Sequence, residues 1–167
     1  MGSKVYSLKF AQIKWLLISS YFISFIFDTM IDLSFSLHFI PSFTVLLLFF
    51  WSSQLLNQTH LFTAFILGVI TDVAMNTPLG SHALIYIILV FFMLRTRVGF
   101  ESTPMWQQAV IIGFYLTVAQ GLNWLLLQPS LTSDNIYFFW LSPWIAAIIW
   151  PFLYKGMLSL THRIMFK

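Results

Sequence analysis

The chain has 167 residues, of which 59% are hydrophobic and only 8% are charged. A soluble domain carries about 25% charged residues, so this chain has too few polar groups to cover a water-facing surface. The composition therefore predicts a single integral membrane domain over residues 1–167, with no separate soluble module.

Charge and residue usage exclude several classes of function. The chain has no cysteine, which excludes disulfides, thiolate nucleophiles and cysteine-ligated metals. Its formal charge of +3 comes from eight Lys and Arg residues that form no continuous basic stripe, so we expect no nucleic-acid binding. The four histidines lack metal-ligand spacing, and no catalytic motif is present. We expect no metal, cofactor or catalytic residue.

Apolar runs separated by polar residues, proline or glycine predict about six membrane-spanning helices. The runs cover residues 15–36, 40–56, 61–75, 79–94, 106–127 and 136–154. A helix needs about 20 residues to cross the hydrocarbon core, and the third and fourth runs are shorter. These two either cross with the help of bilayer thinning or form a re-entrant pair. No small-residue cleavage site follows the first run, which predicts an uncleaved first span.

Charged residues sort to opposite sides when both termini are placed in the cytoplasm. Every Lys and Arg then lies on the cytoplasmic side, as the positive-inside rule requires. We therefore predict cytoplasmic termini, and we expect Asp28 and Asp32 to be solvated where the first span emerges. The outer connections hold only acidic charges: Asp28, Asp32, Asp72 and Asp134.

The third segment has a face of small and polar residues. Gly68 lies on this face one turn before Asp72, which predicts close approach of another helix. A carboxylate at membrane depth is costly unless it is paired or solvated. Asp72 either contacts a ligand, proton or partner, or it links to the start of the next helix across the turn at 76–80. We favour the second interpretation.

The fifth segment repeats small residues at four-residue spacing. Gly113, Thr117 and Gly121 predict a helix-packing seam, with Gln120 beside it. The neighbouring helix belongs either to the same chain, which we favour, or to a partner.

Two further patterns concern the fourth and sixth segments. His82 and Tyr86, at i and i+4, share a face that suits a hydrogen-bonded pair. Pro143 and Pro151 remove backbone hydrogen bonds and predict bends in the last helix.

Four short elements occur in a characteristic order and spacing. They are G-x-x-x-D at 68–72, L-G-x-x-A-L at 79–84, Trp-Gln-Gln at 106–108 and Trp-Pro at 150–151. Each is weak alone. Together they resemble the bacterial rod-shape-determining MreD family, over most of the chain from the second segment to the last.

The resemblance implies a fold similar to the substrate-capture subunits of energy-coupling-factor transporters, in the inner membrane of a rod-shaped bacterium. It implies a non-catalytic scaffold of the machinery that builds sidewall peptidoglycan. The implied partners are an MreC-like membrane protein, MreB, RodA and penicillin-binding protein 2. The matched positions become candidates for bundle packing or partner binding: Gly68, Asp72, Leu79, Gly80, Trp106, Gln107, Trp150 and Pro151.

A different class of function also fits the sequence. The transporter-like fold, with Asp72, His82 and Gln120 as polar groups of a cavity, suits a small-molecule-binding transporter subunit. Polar residues are few and lie on different helices, which counts against this alternative.

Overall fold

The computed structural model describes residues 10–35, 42–55, 59–127 and 135–165, and over these residues it contains six helices and no strand. Helices α1, α4, α5 and α6 are long and apolar enough to cross a membrane, whereas α2 and α3 are shorter. The predicted all-helical membrane bundle is confirmed. The helices are α1 (Phe10–Phe35), α2 (Phe43–Gln54), α3 (Leu61–Ala74), α4 (Ser81–Ser102), α5 (Met105–Leu127) and α6 (Asn135–Met165).

Three predicted lengths are wrong, and the largest difference is in the sixth segment, which was predicted over 136–154 but forms the 31-residue helix α6. The fourth segment does not end at residue 94, because α4 continues through Arg95 and Arg97 to Ser102 and has 22 residues. Arginine is a good helix former, and its long side chain carries the charge away from apolar surroundings, so the helix outlasts the apolar run. The second segment is shorter than predicted, since α2 has 12 residues and a length of only about 18 Å.

Helix α2 forms the centre of the bundle. Its residues from Thr44 to Gln54 are all buried, and it packs against α1, α4 and α6. A helix that is apolar on every side is stable only when other helices surround it. The ring of Phe50 meets the rings of Trp51 and Tyr154 edge-on, with centroids 5.2 and 5.6 Å apart.

Helices α3 and α4 form an antiparallel hairpin with close backbone contact. A Cβ atom added at Gly68 would lie 2.2 Å from Ala83 Cα and 2.5 Å from Ala83 N. No side chain fits in that space, so glycine at this position permits the two helices to touch.

The bundle has two chemically different ends. At one end, here called the aspartate end, α1, α3 and α5 finish and α2, α4 and α6 begin, and it holds Asp28 and Asp72. The opposite end, called the basic end, holds the described basic residues: Lys14, Arg95, Arg97, Lys155 and Arg163. The sequence predictions for Lys4, Lys9, His38, Asp134 and Lys167, and for the side chain of Asp32, fall outside what the structure describes.

Candidate functional site: two capped helices and a cavity

Asp72 links the end of α3 to the start of α4. Its Oδ1 accepts hydrogen bonds from the Thr77 hydroxyl (2.8 Å) and the His82 backbone N–H (3.0 Å), and its Oδ2 accepts one from the Gly80 N–H (2.8 Å). The side chain is completely buried. The carboxylate thus satisfies N–H groups that a helix start leaves without partners. The contact across the turn is the one that the sequence predicted, while a partner contact for Asp72 stays a prediction.

His82 belongs to the same cap. Its Nδ1 lies 2.7 Å from Asp72 Oδ1, so Nδ1 carries the proton that joins the two side chains. The predicted His82–Tyr86 hydrogen bond is absent from the described contacts, and His82 Nδ1 contacts Asp72. The two rings meet edge-on instead, with centroids 6.2 Å apart.

Asp28 caps the start of α2 in a similar way. Its Oδ1 accepts from the Phe43 N–H (2.9 Å), and its Oδ2 accepts from the Ser42 hydroxyl (2.8 Å) and the Thr44 N–H (2.9 Å). The expectation that Asp28 is solvated is therefore wrong. The sequence places Asp28 at the end of a span, but only the fold brings the first turn of α2 over it.

A cavity of about 540 Å³ opens between the two caps at the aspartate end, and all six helices line it. Its deeper wall is apolar and includes Leu89 and Leu116. Asp72 does not line it, because its carboxylate is enclosed by the cap. The polar side chains that do line it include Asp28, His82, Tyr86, Gln120, Asn123 and Ser142.

A separate polar cluster lies toward the basic end. Gln54 Nε2 donates to Glu101 Oε1 (2.9 Å) and to the Tyr154 hydroxyl (3.0 Å), and that hydroxyl donates to Glu101 Oε2 (3.1 Å). The cluster ties together α2, α4 and α6. The cluster was not predicted from the sequence, although Gln54 and Glu101 each stand at the end of a helix.

The residues of the predicted α5 seam divide between two surroundings. A Cβ atom added at Gly113 would lie 3.2 Å from Ala147 Cβ, so this glycine packs against α6. The Thr117 hydroxyl donates to the Gly113 carbonyl one turn earlier (2.8 Å). A Cβ added at Gly121 would meet no atom of the described part of the chain within 4 Å. The first part of the seam is therefore intramolecular, and the last part is open.

The predicted tryptophan and glutamine residues also differ in how deeply they are buried. Trp150 is completely buried against Phe100, with ring centroids 5.9 Å apart, whereas Trp106 is 66% exposed. Gln107 is half-buried, and the neighbouring Gln108 is the buried residue, donating from Nε2 to the Phe100 and Thr103 carbonyls (3.2 Å each).

The remaining candidates lie at turns or inside α6. Leu79 is 73% exposed, and Gly80 has a φ of +98°, a left-handed conformation that favours glycine. Pro143 and Pro151 both stand inside the continuous helix α6. The bends predicted at these prolines stay a prediction.

The helical bundle, its long apolar helices and its charged groups at opposite ends define a polytopic integral membrane protein. The family model described as rod shape-determining protein MreD matches residues 9–160. The chain therefore belongs to the MreD family of rod-shape-determining membrane proteins. One similar relative is the rod shape-determining protein MreD of Haemophilus influenzae, which is 20% identical over 127 residues, covering 74% of this chain and 76% of the relative. No solved structure matches the chain.

Proposed function

We propose that this chain is a non-catalytic scaffold subunit of the cell-elongation machinery in the bacterial inner membrane. In this role it holds a single-span, MreC-like partner, and through that partner it associates with MreB, RodA and penicillin-binding protein 2 during sidewall peptidoglycan synthesis. Family membership supports the shape-determining role. The partner contact is supported by the outer surface of α5.

The observation that carries the partner proposal is a row of exposed residues on α5. This helix is the least buried of the four long helices. Gly121 lies within the row and leaves a notch, because no atom of the described residues lies within 4 Å of its Cβ position. In membranes, a small residue between large ones permits close packing of a second helix. The large apolar members of the row are Trp106, Val110, Phe114, Val118 and Leu125.

Co-purification in mild detergent tests the partner contact. We expect Gly121→Leu to lower recovery of the MreC-like partner severalfold while the chain itself remains folded, because leucine fills the notch. Gly99→Leu is the matched control, since Gly99 on α4 is equally open. Equal partner recovery with both variants would remove α5 as the contact face.

Depletion in the native host tests the biological role. We expect rods to become spheres when the chain is depleted, and Gly121→Leu to restore shape less well than Gly99→Leu. Unchanged shape together with a new nutrient requirement would contradict the scaffold role.

Accessibility labelling tests the proposed orientation, in which both termini face the cytoplasm. The chain has no native cysteine, so single cysteines report cleanly. We expect Asn76→Cys to react with an impermeant thiol reagent from the periplasm, and Arg95→Cys to react only after the membrane is opened. The reverse pattern would overturn the orientation.

A small-molecule-binding transporter subunit is the second candidate, and the cavity favours it. His82 and Gln120 line the cavity as that alternative requires, whereas Asp72 does not. A thermal-shift screen against vitamins separates the two functions, because a saturable stabilisation by one vitamin favours transport.

A further inference from the structure

The two carboxylates of the aspartate end differ in how well their charge is compensated. Asp72 faces the start of α4 and also the His82 ring nitrogen at 2.7 Å. Within the described residues, Asp28 accepts hydrogen bonds from the start of α2 and from the Ser42 hydroxyl. A helix N-terminus offsets roughly half of one negative charge. Asp28 therefore lacks the ring-nitrogen partner that Asp72 has, and it lies at the wall of the cavity.

The described residues that line the cavity include no Lys or Arg, and the histidine among them, His82, is already held by Asp72. The flanking connections at 36–41 and 128–134 contain no Lys or Arg in their sequence either, and His38 is their one histidine. An anionic ligand would meet the Asp28 charge without a counter-ion, whereas a cation would be attracted to it.

The cavity also presents polar and aromatic groups suited to a small cationic headgroup. Ser142 is more than nine-tenths buried and lines the cavity, and within the described part of the chain its hydroxyl makes no hydrogen bond. The rings of Phe25, Tyr86 and Phe139 also line the cavity, and aromatic faces attract ammonium groups. The cavity can therefore bind a positively charged hydrogen-bond donor, because it offers a hydroxyl, a carboxylate and aromatic rings.

We propose that the cavity at the aspartate end binds a primary ammonium group, with Asp28 as its counter-ion and Ser142 as an additional hydrogen-bond acceptor. The apolar wall at Leu89 and Leu116 contacts the carbon chain that bears the amine. Two sources supply this chemistry: the headgroup of an aminolipid, or a free amine. The amine-binding proposal does not depend on the scaffold role, so an experiment can disprove either proposal without disproving the other.

Native mass spectrometry of the full chain provides the test. The chain is released from nanodiscs that contain equal amounts of phosphatidylethanolamine and phosphatidylglycerol, and the lipids that remain bound are counted. We expect phosphatidylethanolamine to be enriched about fivefold, because the free energy of a partly exposed ion pair corresponds to a change in binding of about that factor. In nanodiscs of phosphatidylglycerol alone, a saturable thermal stabilisation by free ethanolamine would instead identify a free amine as the ligand.

Three variants locate the site. Asp28→Asn removes the charge but keeps an acceptor for the helix cap, and we expect it to abolish the selectivity for the amine. Ser142→Phe fills the cavity without a change in charge, and we expect the same loss. Ser159→Phe is the matched control, because Ser159 is exposed on α6 near the basic end and its replacement should leave selectivity unchanged.

The proposal is overturned if neither lipid is enriched and ethanolamine has no effect, which would mean that the cavity holds water only. It is also overturned if phosphatidylglycerol is preferred. A phosphatidylethanolamine preference that survives both Asp28→Asn and Ser142→Phe would place the lipid elsewhere on the bundle and would equally exclude this site.

Discussion

The hairpins α1–α2 and α3–α4 both have an aspartate that caps their second helix, but they differ in how closely their helices pack. In each, an aspartate near the end of the first helix accepts hydrogen bonds from the start of the second. In α3–α4 the backbones touch at Gly68 and Ala83, and Asp72 is completely buried. In α1–α2 side chains separate the backbones: Trp51 Nε1 donates to the Ser20 hydroxyl (3.0 Å).

The difference shows how one capping interaction serves two purposes. Close backbone contact and the His82 ring enclose the Asp72 carboxylate, so it acts within the hairpin alone. The looser α1–α2 hairpin leaves Asp28 at the wall of the cavity. A cap that is left partly open supplies both helix stability and a charge for another molecule to contact.

The largest expected effect comes from Gly68→Leu. The neighbouring atoms are backbone and cannot move aside, so the α3–α4 hairpin must separate at a cost of about 3 kcal/mol or more. Size-exclusion chromatography in detergent should show loss of the folded, monodisperse chain. Gly99→Leu should behave like wild type, and equal loss in both variants would contradict the role of close contact at Gly68.

Asp72→Ala should be the next most damaging change. It leaves the Gly80 and His82 N–H groups and the Thr77 hydroxyl without the acceptor that the buried carboxylate provides, which costs about 3–5 kcal/mol of unfolding free energy. Denaturant unfolding in detergent, followed by tryptophan fluorescence, measures the loss. Asp72→Asn should recover part of it because an amide oxygen still accepts. No difference between alanine and asparagine would show that the cap does not stabilise the hairpin.

Asp28→Ala should cost less than Asp72→Ala, about 1–2 kcal/mol, as for loss of a helix cap. Water from the cavity can reach the N–H groups of Phe43 and Thr44 once the carboxylate is gone. The same unfolding experiment measures the effect. A loss equal to that of Asp72→Ala would mean that the two caps are equally enclosed and would end the contrast between the hairpins.

The smallest expected effect concerns the side-chain contacts within α1–α2. The hydroxyls of Ser24 and Thr44 lie 3.3 Å apart, and a double-mutant cycle with Ser24→Ala and Thr44→Val should give a coupling of about 0.6 kcal/mol. A coupling of several kcal/mol would show that side-chain hydrogen bonds hold this hairpin as firmly as backbone contact holds α3–α4.

The sequence predicted the features that depend on neighbouring residues in the chain. The helix count followed from the apolar runs, and the cap at Asp72 followed from a carboxylate that lies only eight residues before Gly80. The predicted end of the fourth segment was wrong because hydropathy detects where apolar residues stop, whereas a helix continues for as long as its hydrogen bonds do. Arg95 and Arg97 cause no break in α4.

Features that join distant residues were not predicted. Gln54, Glu101 and Tyr154 are separated by 47 and 53 positions, and nothing in their local sequence indicates that they meet. The exposure of Gly121 and the packing of Gly113 are likewise decided by which side of α5 faces α6. A seam of small residues indicates that another helix can pack closely there, but it does not indicate which helix.

The sequence by itself determined that this chain lies in a membrane, that it forms about six helices and that it belongs with rod-shape-determining proteins. Composition, apolar run length and short motifs are local properties, so they can be read without a fold. Only the tertiary structure decided that Asp28 caps α2, that Asp72 is enclosed and that a cavity separates them. Those outcomes depend on how closely each pair of helices packs, and closeness is set by all the contacting side chains together.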